Sequence, residues 1–173
     1  MNREILFKAK RIDNGEWVEG YYCKLDETTY CVSEDYERHP VPTHHYILYE
    51  TMTDWGLPNR FLQFEIDPDT LCQYTGLTDK DGKKIWENDI LRGHGNDDDL
   101  AKVVFGEFNV IDVETHEKVD RVIGWHTKVI ETDVLSKCEP FCLPMPLTDF
   151  YIKRCEYEVV KNAFDNPELL EVE

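Results

Sequence analysis

Gln73-Tyr74-Thr75-Gly76-Leu77-Thr78-Asp79-Lys80-Asp81-Gly82-Lys83-Lys84-Ile85-Trp86 is the stretch that decides the fold. Aromatic and β-branched residues flank a polar centre, and Asp81-Gly82 supplies the left-handed backbone residue that a tight hairpin needs. The spacing predicts two short strands joined by that turn. Glu87-Asn88-Asp89 marks a second turn directly after it, and Ile90-Leu91 opens another strand.

Outward from this hairpin the same grammar repeats. Glu16 to Leu25 alternates over ten residues, and a turn at Asp26-Glu27 predicts a hairpin with Thr28 to Ser33. Further strands are expected at His45 to Thr51, at Phe61 to Ile66 with Leu62, Phe64 and Ile66 on one face, and at Val103 to Phe105. Phe108 to Val113, Val119 to Gly124, His126 to Glu131 and Tyr151 to Val160 continue the pattern. Pro40 and Pro42 exclude regular structure in between, and Glu139 to Pro146 carries three prolines and reads as a rigid loop. Asp67-Pro68-Asp69-Thr70 starts a turn or a single helical turn, and Asn166-Pro167-Glu168 is a helical start signal good for one or two turns.

Composition agrees with the pattern. Val, Ile, Thr and the aromatics supply 57 of 173 residues, while alanine occurs only at Ala9, Ala101 and Ala163. Side chains that suit a pleated surface therefore outweigh the best helix former. The expectation is a mainly β protein, several hairpins forming barrel-like or sandwich sheets with a short C-terminal helical turn. A single domain over 1–173 suffices for this length, with room for two β lobes. No apolar run is long enough to span a membrane, and no secretory leader is evident, so a cytoplasmic protein without membrane contact is expected.

Nineteen basic against 36 acidic residues give a net charge of −17. Such a field opposes phosphate backbones, so direct nucleic-acid binding is disfavoured even though Arg3, Lys8, Lys10 and Arg11 make the start basic. Six cysteines, with no paired tight spacing and no oxidising destination, read as structural thiols and not as zinc ligands, although Cys23 and Cys31 on neighbouring strands with His39, His44 and His45 are the nearest thing to a metal set. No metal and no cofactor are expected. Asp97-Asp98-Asp99 reads as a solvated loop, because consecutive carboxylates cannot all point inward. Asp79-Lys80-Asp81-Gly82 lacks the Glu that would complete a calcium loop, since Asn88 stands there. His126 reads as a hydrogen-bonded structural histidine. Trp17 and Trp86, on alternating segments, read as core residues; Trp55, in a Gly/Pro loop, is the candidate partner contact.

Gln73, Tyr74, Thr75, Gly76 and Leu77, then Asp79, Lys80, Gly82, Ile85, Trp86, Glu87, Asp89 and Ile90, together resemble the signature of the YopX family. The resemblance extends to Arg3-Glu4-Ile5 with Phe7, to Trp17-Val18 with Gly20-Tyr21, and to Tyr157-Glu158-Val159-Val160 followed by Asn162 and Asp165-Asn166-Pro167-Glu168-Leu169-Leu170. Asn88 and Lys161 replace glycines usual in the family, so the last strand is expected to leave its sheet differently. The resemblance implies a mainly β protein encoded by phages or prophages, acting in the bacterial host cytoplasm, with no established activity. Its signature is one of turn and core residues and transfers no catalytic group. The functional expectation is a non-enzymatic binding or assembly protein that engages a protein partner or a second copy of itself. Two alternatives are an acidic decoy imitating nucleic acid and a metal-dependent hydrolase or nuclease built on Asp97 to Asp99 with nearby histidines.

Overall fold

A computed structural model describes residues 4–112, 114–115 and 117–170. It is mainly β, as the composition dictates, with two antiparallel sheets and two short helices among the described residues. The chain forms two compact units, residues 1–73 and 74–173.

In the first unit, β1 (Phe7–Lys10), β2 (Trp17–Asp26), β3 (Thr43–Thr51) and β4 (Arg60–Glu65) form an antiparallel meander, and the start of β5 (Cys72–Thr78) pairs with the free side of β1. The sheet ends openly at β4 and does not close into a barrel. Its core is Ala9, Ile47 and Ile66, packed by Phe7, Val18, Tyr22 and Leu71. Between β4 and β5, Asp67 caps a single 3-10 turn, Pro68–Thr70, by accepting from the Asp69 N–H at 3.1 Å.

The hairpin expected between Glu16–Leu25 and Thr28–Ser33 does not form. Strand β2 pairs instead with β3, Tyr21 opposite Leu48 through Asp26 opposite Thr43. The segment 28–33 has no buried side chain, whereas β3 brings the fully buried Ile47, so burial overrides the local turn signal. Ser33–Arg38 is a short helix, α1, with no buried residue; Glu34 and Asp35 in its first turn and Arg38 in its last suit the helix dipole. Leu62, expected beside Phe64 and Ile66 on the core face, is left exposed by the edge position of β4.

In the second unit, β5 continues into a hairpin with β6 (Lys84–Trp86), as the decisive stretch predicts. Gly82 takes φ +85° at the turn, and Gly76 takes φ +85° where the ladder shifts register between Tyr74 and Thr78. A five-stranded open sheet follows, built from β7 (Asp89–Arg92), β8 (Leu100–Ile111), β9 (Lys118–Val129), β10 (Met145–Pro146) and β11 (Glu158–Asn162), in the order β10-β9-β8-β7-β11. Four predicted segments merge into the two twelve-residue strands β8 and β9; Val113, part of one prediction, lies outside the described residues. Pro146 fits β10 because that strand is an edge.

The predicted long strand from Tyr151 to Val160 is wrong in its first half. Asp149–Arg154 is a helix, α2: the Thr148 hydroxyl caps it by accepting from the Tyr151 N–H, and Lys153 and Arg154 close its last turn. Ile152 and Cys155, three apart, drop into the core with Ile85, Leu91, Val103, Leu147 and Tyr157. Glu156 then takes φ +51° and releases the chain into β11. Strand β11 shifts register against β7 between Val159 and Lys161 and stays paired to Asn162, opposite Asp89. Pro167–Leu169 is the predicted C-terminal helical turn, and Leu169 packs on Ile90, Leu100 and Ile130.

Candidate functional site

The signature residues build a polar lock inside the second unit. Asp79 is buried, and its carboxylate accepts three backbone N–H bonds: Asp81 and Lys83 at 2.9 Å each and Val159 at 3.0 Å. One side chain thus closes the Asp81-Gly82 turn and ties it to β11, 80 residues away. The Lys80 N–H donates to the Tyr157 carbonyl at 3.0 Å, and the Thr75 hydroxyl donates to the Ile85 carbonyl at 2.8 Å. Asp89 is 1% exposed; it accepts from the Trp86 N–H at 2.9 Å and from the Asn162 side-chain amide at 3.0 Å. Asn88, where the resemblance leads one to expect glycine, takes φ +62° and bonds through its backbone to Val103 and Ala163. Asn166 donates from its side chain to the Asn162 carbonyl at 3.0 Å, just before Pro167. Ile85, Trp86 and Ile90 are buried in the core; Tyr74 leans on Trp86 with ring centroids 5.3 Å apart. Leu77 packs on the core cluster, while Gln73 and Glu87 are half-buried. These contacts fold the chain; apart from the Asp89–Asn162 side-chain pair, the bonds named hold backbone.

Around the lock lies an ion network. Glu158 receives Arg92 and Lys80, the latter at 3.1 Å, and Arg92 also reaches Asp97 at 2.5 Å. The Arg92 and Lys80 cations hold the Glu158 carboxyl below its usual range. Beside it, Thr78, Asp79, Lys80, Asp149, Ile152, Lys153 and Glu156 line a shallow cleft of about 240 Å³.

The acidic triplet disperses. Asp97 turns to Arg92, Asp99 meets His94 at 2.9 Å, and the Asp98 N–H bonds Asn96. Among the described residues no three His, Cys, Asp or Glu side chains gather as a metal set. Cys31 lies outside any strand, so the pairing of Cys23 and Cys31 on neighbouring strands does not arise. All six cysteines are free thiols. Burial pushes the Cys155 thiol up and the Tyr157 phenol well above its ordinary value, the opposite of what activates a nucleophile. His126 is buried, with its ring stacked on Phe108 at 4.6 Å and Nδ1 3.2 Å from the Gly124 carbonyl.

The histidines of β3 have other partners. His45 Nδ1 meets the Tyr22 hydroxyl at 2.6 Å. His44 bridges Glu65 at 2.5 Å and Glu27 at 2.9 Å, a clamp the sequence spacing did not expose because the three residues meet only across β2, β3 and β4. Glu65 first and Glu27 second raise the His44 imidazole above its ordinary value of 6.5. The clamp therefore stabilises fully below pH 6.5, where His44 is charged folded or unfolded, and its contribution fades as pH rises through the elevated folded value. Melting temperature measured against pH should fall over that upper window, and His44→Gln should flatten this component of the profile.

Trp55 stands at the tip of the β3–β4 hairpin and is fully exposed. Met52 (86% exposed) and Leu57 share the tip, and Tyr49, paired with Leu62, leads to it along the strands with Phe61 nearby. Trp17 differs from its expected core role: it is half-buried, with the Lys8 and Lys10 ammonium groups 5.0 and 5.5 Å from its ring. Trp125 packs on the core of the second unit, and its indole N–H is buried without a hydrogen-bond partner.

No curated protein matches this chain. A solved structure similar to it is the crystal structure of protein EF1440 from Enterococcus faecalis, 16% identical over 97% of this chain and 99% of that one, with a TM-score of 0.42. The family model described as YopX protein matches residues 6–171, which take in the hairpin, the lock and both compact units. The chain belongs to the YopX protein family.

Proposed function

We propose that this chain is a non-enzymatic binding or assembly protein of phage or prophage origin, acting in the host cytoplasm and making contact through the tip of its β3–β4 hairpin. The observation that carries this reading is the exposure of Trp55, Met52 and Leu57 together on one projecting turn. A tryptophan left wholly in water forgoes about 2 kcal/mol or more of burial, and large apolar residues grouped at a tip suit a contact surface better than a solvated loop. Tryptophan is also the side chain most enriched among residues that dominate binding energy. Support from the opposite direction comes from the acidic lock, whose carboxylates are spent on backbone N–H groups.

The test is affinity capture from induced host cells, run in parallel with the wild-type chain and with Trp55→Ser, followed by a binding titration with the protein retained. Loss of roughly 30-fold or more in affinity on removing the indole is the expected result, since a central aromatic anchor is worth at least about 2 kcal/mol. Equal retention by both forms would overturn the hairpin tip as the contact.

A further inference from the structure

We propose that the outer edge of β8, Val104 to Ile111, pairs antiparallel with the same edge of a second copy, in a register centred on Phe108. The inference names a partner and a surface distinct from the hairpin tip, and it stands whether or not Trp55 is a contact.

Strand β8 is twelve residues long, and β7 covers only Leu100 to Lys102 of it; the Asn88 N–H takes the Val103 carbonyl. From Val104 to Ile111 the strand has β9 on one side and, among the described residues, no strand on the other. Val-Phe-Gly-Glu-Phe-Asn-Val-Ile contains one charge, Glu107, and that charge is drawn across the ribbon to Arg121 of β9. The opposite border of the ribbon, Lys118 to Trp125 of β9, carries Lys118, Asp120 and Arg121. Charged residues are the ordinary guard against edge-to-edge pairing, so one border is guarded and the other is not. A long unguarded edge of high β-propensity is stable in water when something pairs with it, and a bare two-stranded ribbon is marginal alone. Phe105 (55% exposed) and Ile123 (71% exposed) stand uncovered on the ribbon face that such an extension would widen.

Self-pairing is favoured by the order of side chains. Residues directly opposite in an antiparallel ladder point to the same face, so a two-fold axis must pass through a residue position. Two registers engage nearly the whole open segment. Centring on Glu107 would set two like charges against each other. Centring on Phe108 places Glu107 opposite the partner's Asn109, Phe105 opposite the partner's Ile111, and Gly106 opposite the partner's Val110. This register buries no charge against its like, and it uses the full run from Phe105 to Ile111.

The decisive residue is Asn109, exposed and facing Arg121 across the ribbon of its own chain. Within a monomer, Asn109→Glu gains Arg121 as a neighbour and Asn109→Lys meets a like charge. In the proposed dimer the signs reverse, because position 109 faces Glu107 of the other copy twice over. Sedimentation velocity across a dilution series, with thermal unfolding alongside, separates the two. The expected result is a concentration-dependent dimer that Asn109→Lys tightens and Asn109→Glu weakens, each by about 5-fold, while the dilute proteins show the opposite order of stability. A monomer at every concentration, or a dimer that responds to neither substitution, overturns the inference. A dimer lost on Trp55→Ser but indifferent to position 109 also overturns it, and would assign self-association to the hairpin tip instead.

Discussion

Replacing Asp89 by alanine is expected to lower the unfolding free energy by about 3–4 kcal/mol. The carboxylate is 1% exposed and serves two donors, the Trp86 N–H at 2.9 Å and the Asn162 side-chain amide at 3.0 Å. Its removal strands both away from water, at about 1–3 kcal/mol each, and leaves a small void between β6 and the end of β11. Asp89→Asn is the sharper variant. Its volume is the same, yet one of its two heads becomes a donor facing a donor, so it should recover less than half of the loss. Chemical denaturation followed by tryptophan fluorescence reads both, Trp86 lying beside the substitution. An Asp89→Ala protein with an unchanged midpoint would show that the lock does not hold the unit together.

Gly20→Ala is expected to cost about 3 kcal/mol, for a different reason. The strands β2 and β3 approach so closely at this point that a Cβ on residue 20 would lie 2.2 Å from the Leu48 carbonyl oxygen and 3.0 Å from Cγ2 of Ile47. The first obstacle is backbone within a ladder and cannot swing aside, so the strands must separate around the buried Ile47. Gly124→Ala supplies the control, since a Cβ there meets nothing within 4 Å. It should shift the midpoint little, within about 0.5 kcal/mol, and the added side chain slightly favours the extended backbone. Equal effects from the two alanines would refute the close approach of β2 and β3.

The two substitutions divide the chain's requirements. Asp89 acts through the direction of hydrogen bonds and Gly20 through the absence of volume. Both positions serve the folding of the chain itself. The two surfaces proposed above for other molecules are mostly apolar: a hairpin tip around Trp55 and a strand edge around Phe108.

Where the physical cause is local, the residues alone suffice. Asp81-Gly82 specified its turn because positive φ is a property of one residue. Asn166-Pro167 specified its helical turn because a fixed φ and a missing N–H act in place. The dominance of strand followed from β-branched and aromatic content for the same reason. Tertiary structure decided everything that depends on which distant surface wins. Thr28 to Ser33 lost its place beside β2 to a strand carrying Ile47; Tyr151 to Arg154 became helix because Ile152 and Cys155 had a core to enter; Glu27, His44 and Glu65 became a clamp only when three strands aligned. Pairing across tens of residues is a competition between burial energies, and that competition is settled by the assembled sheet, not by any single segment of chain.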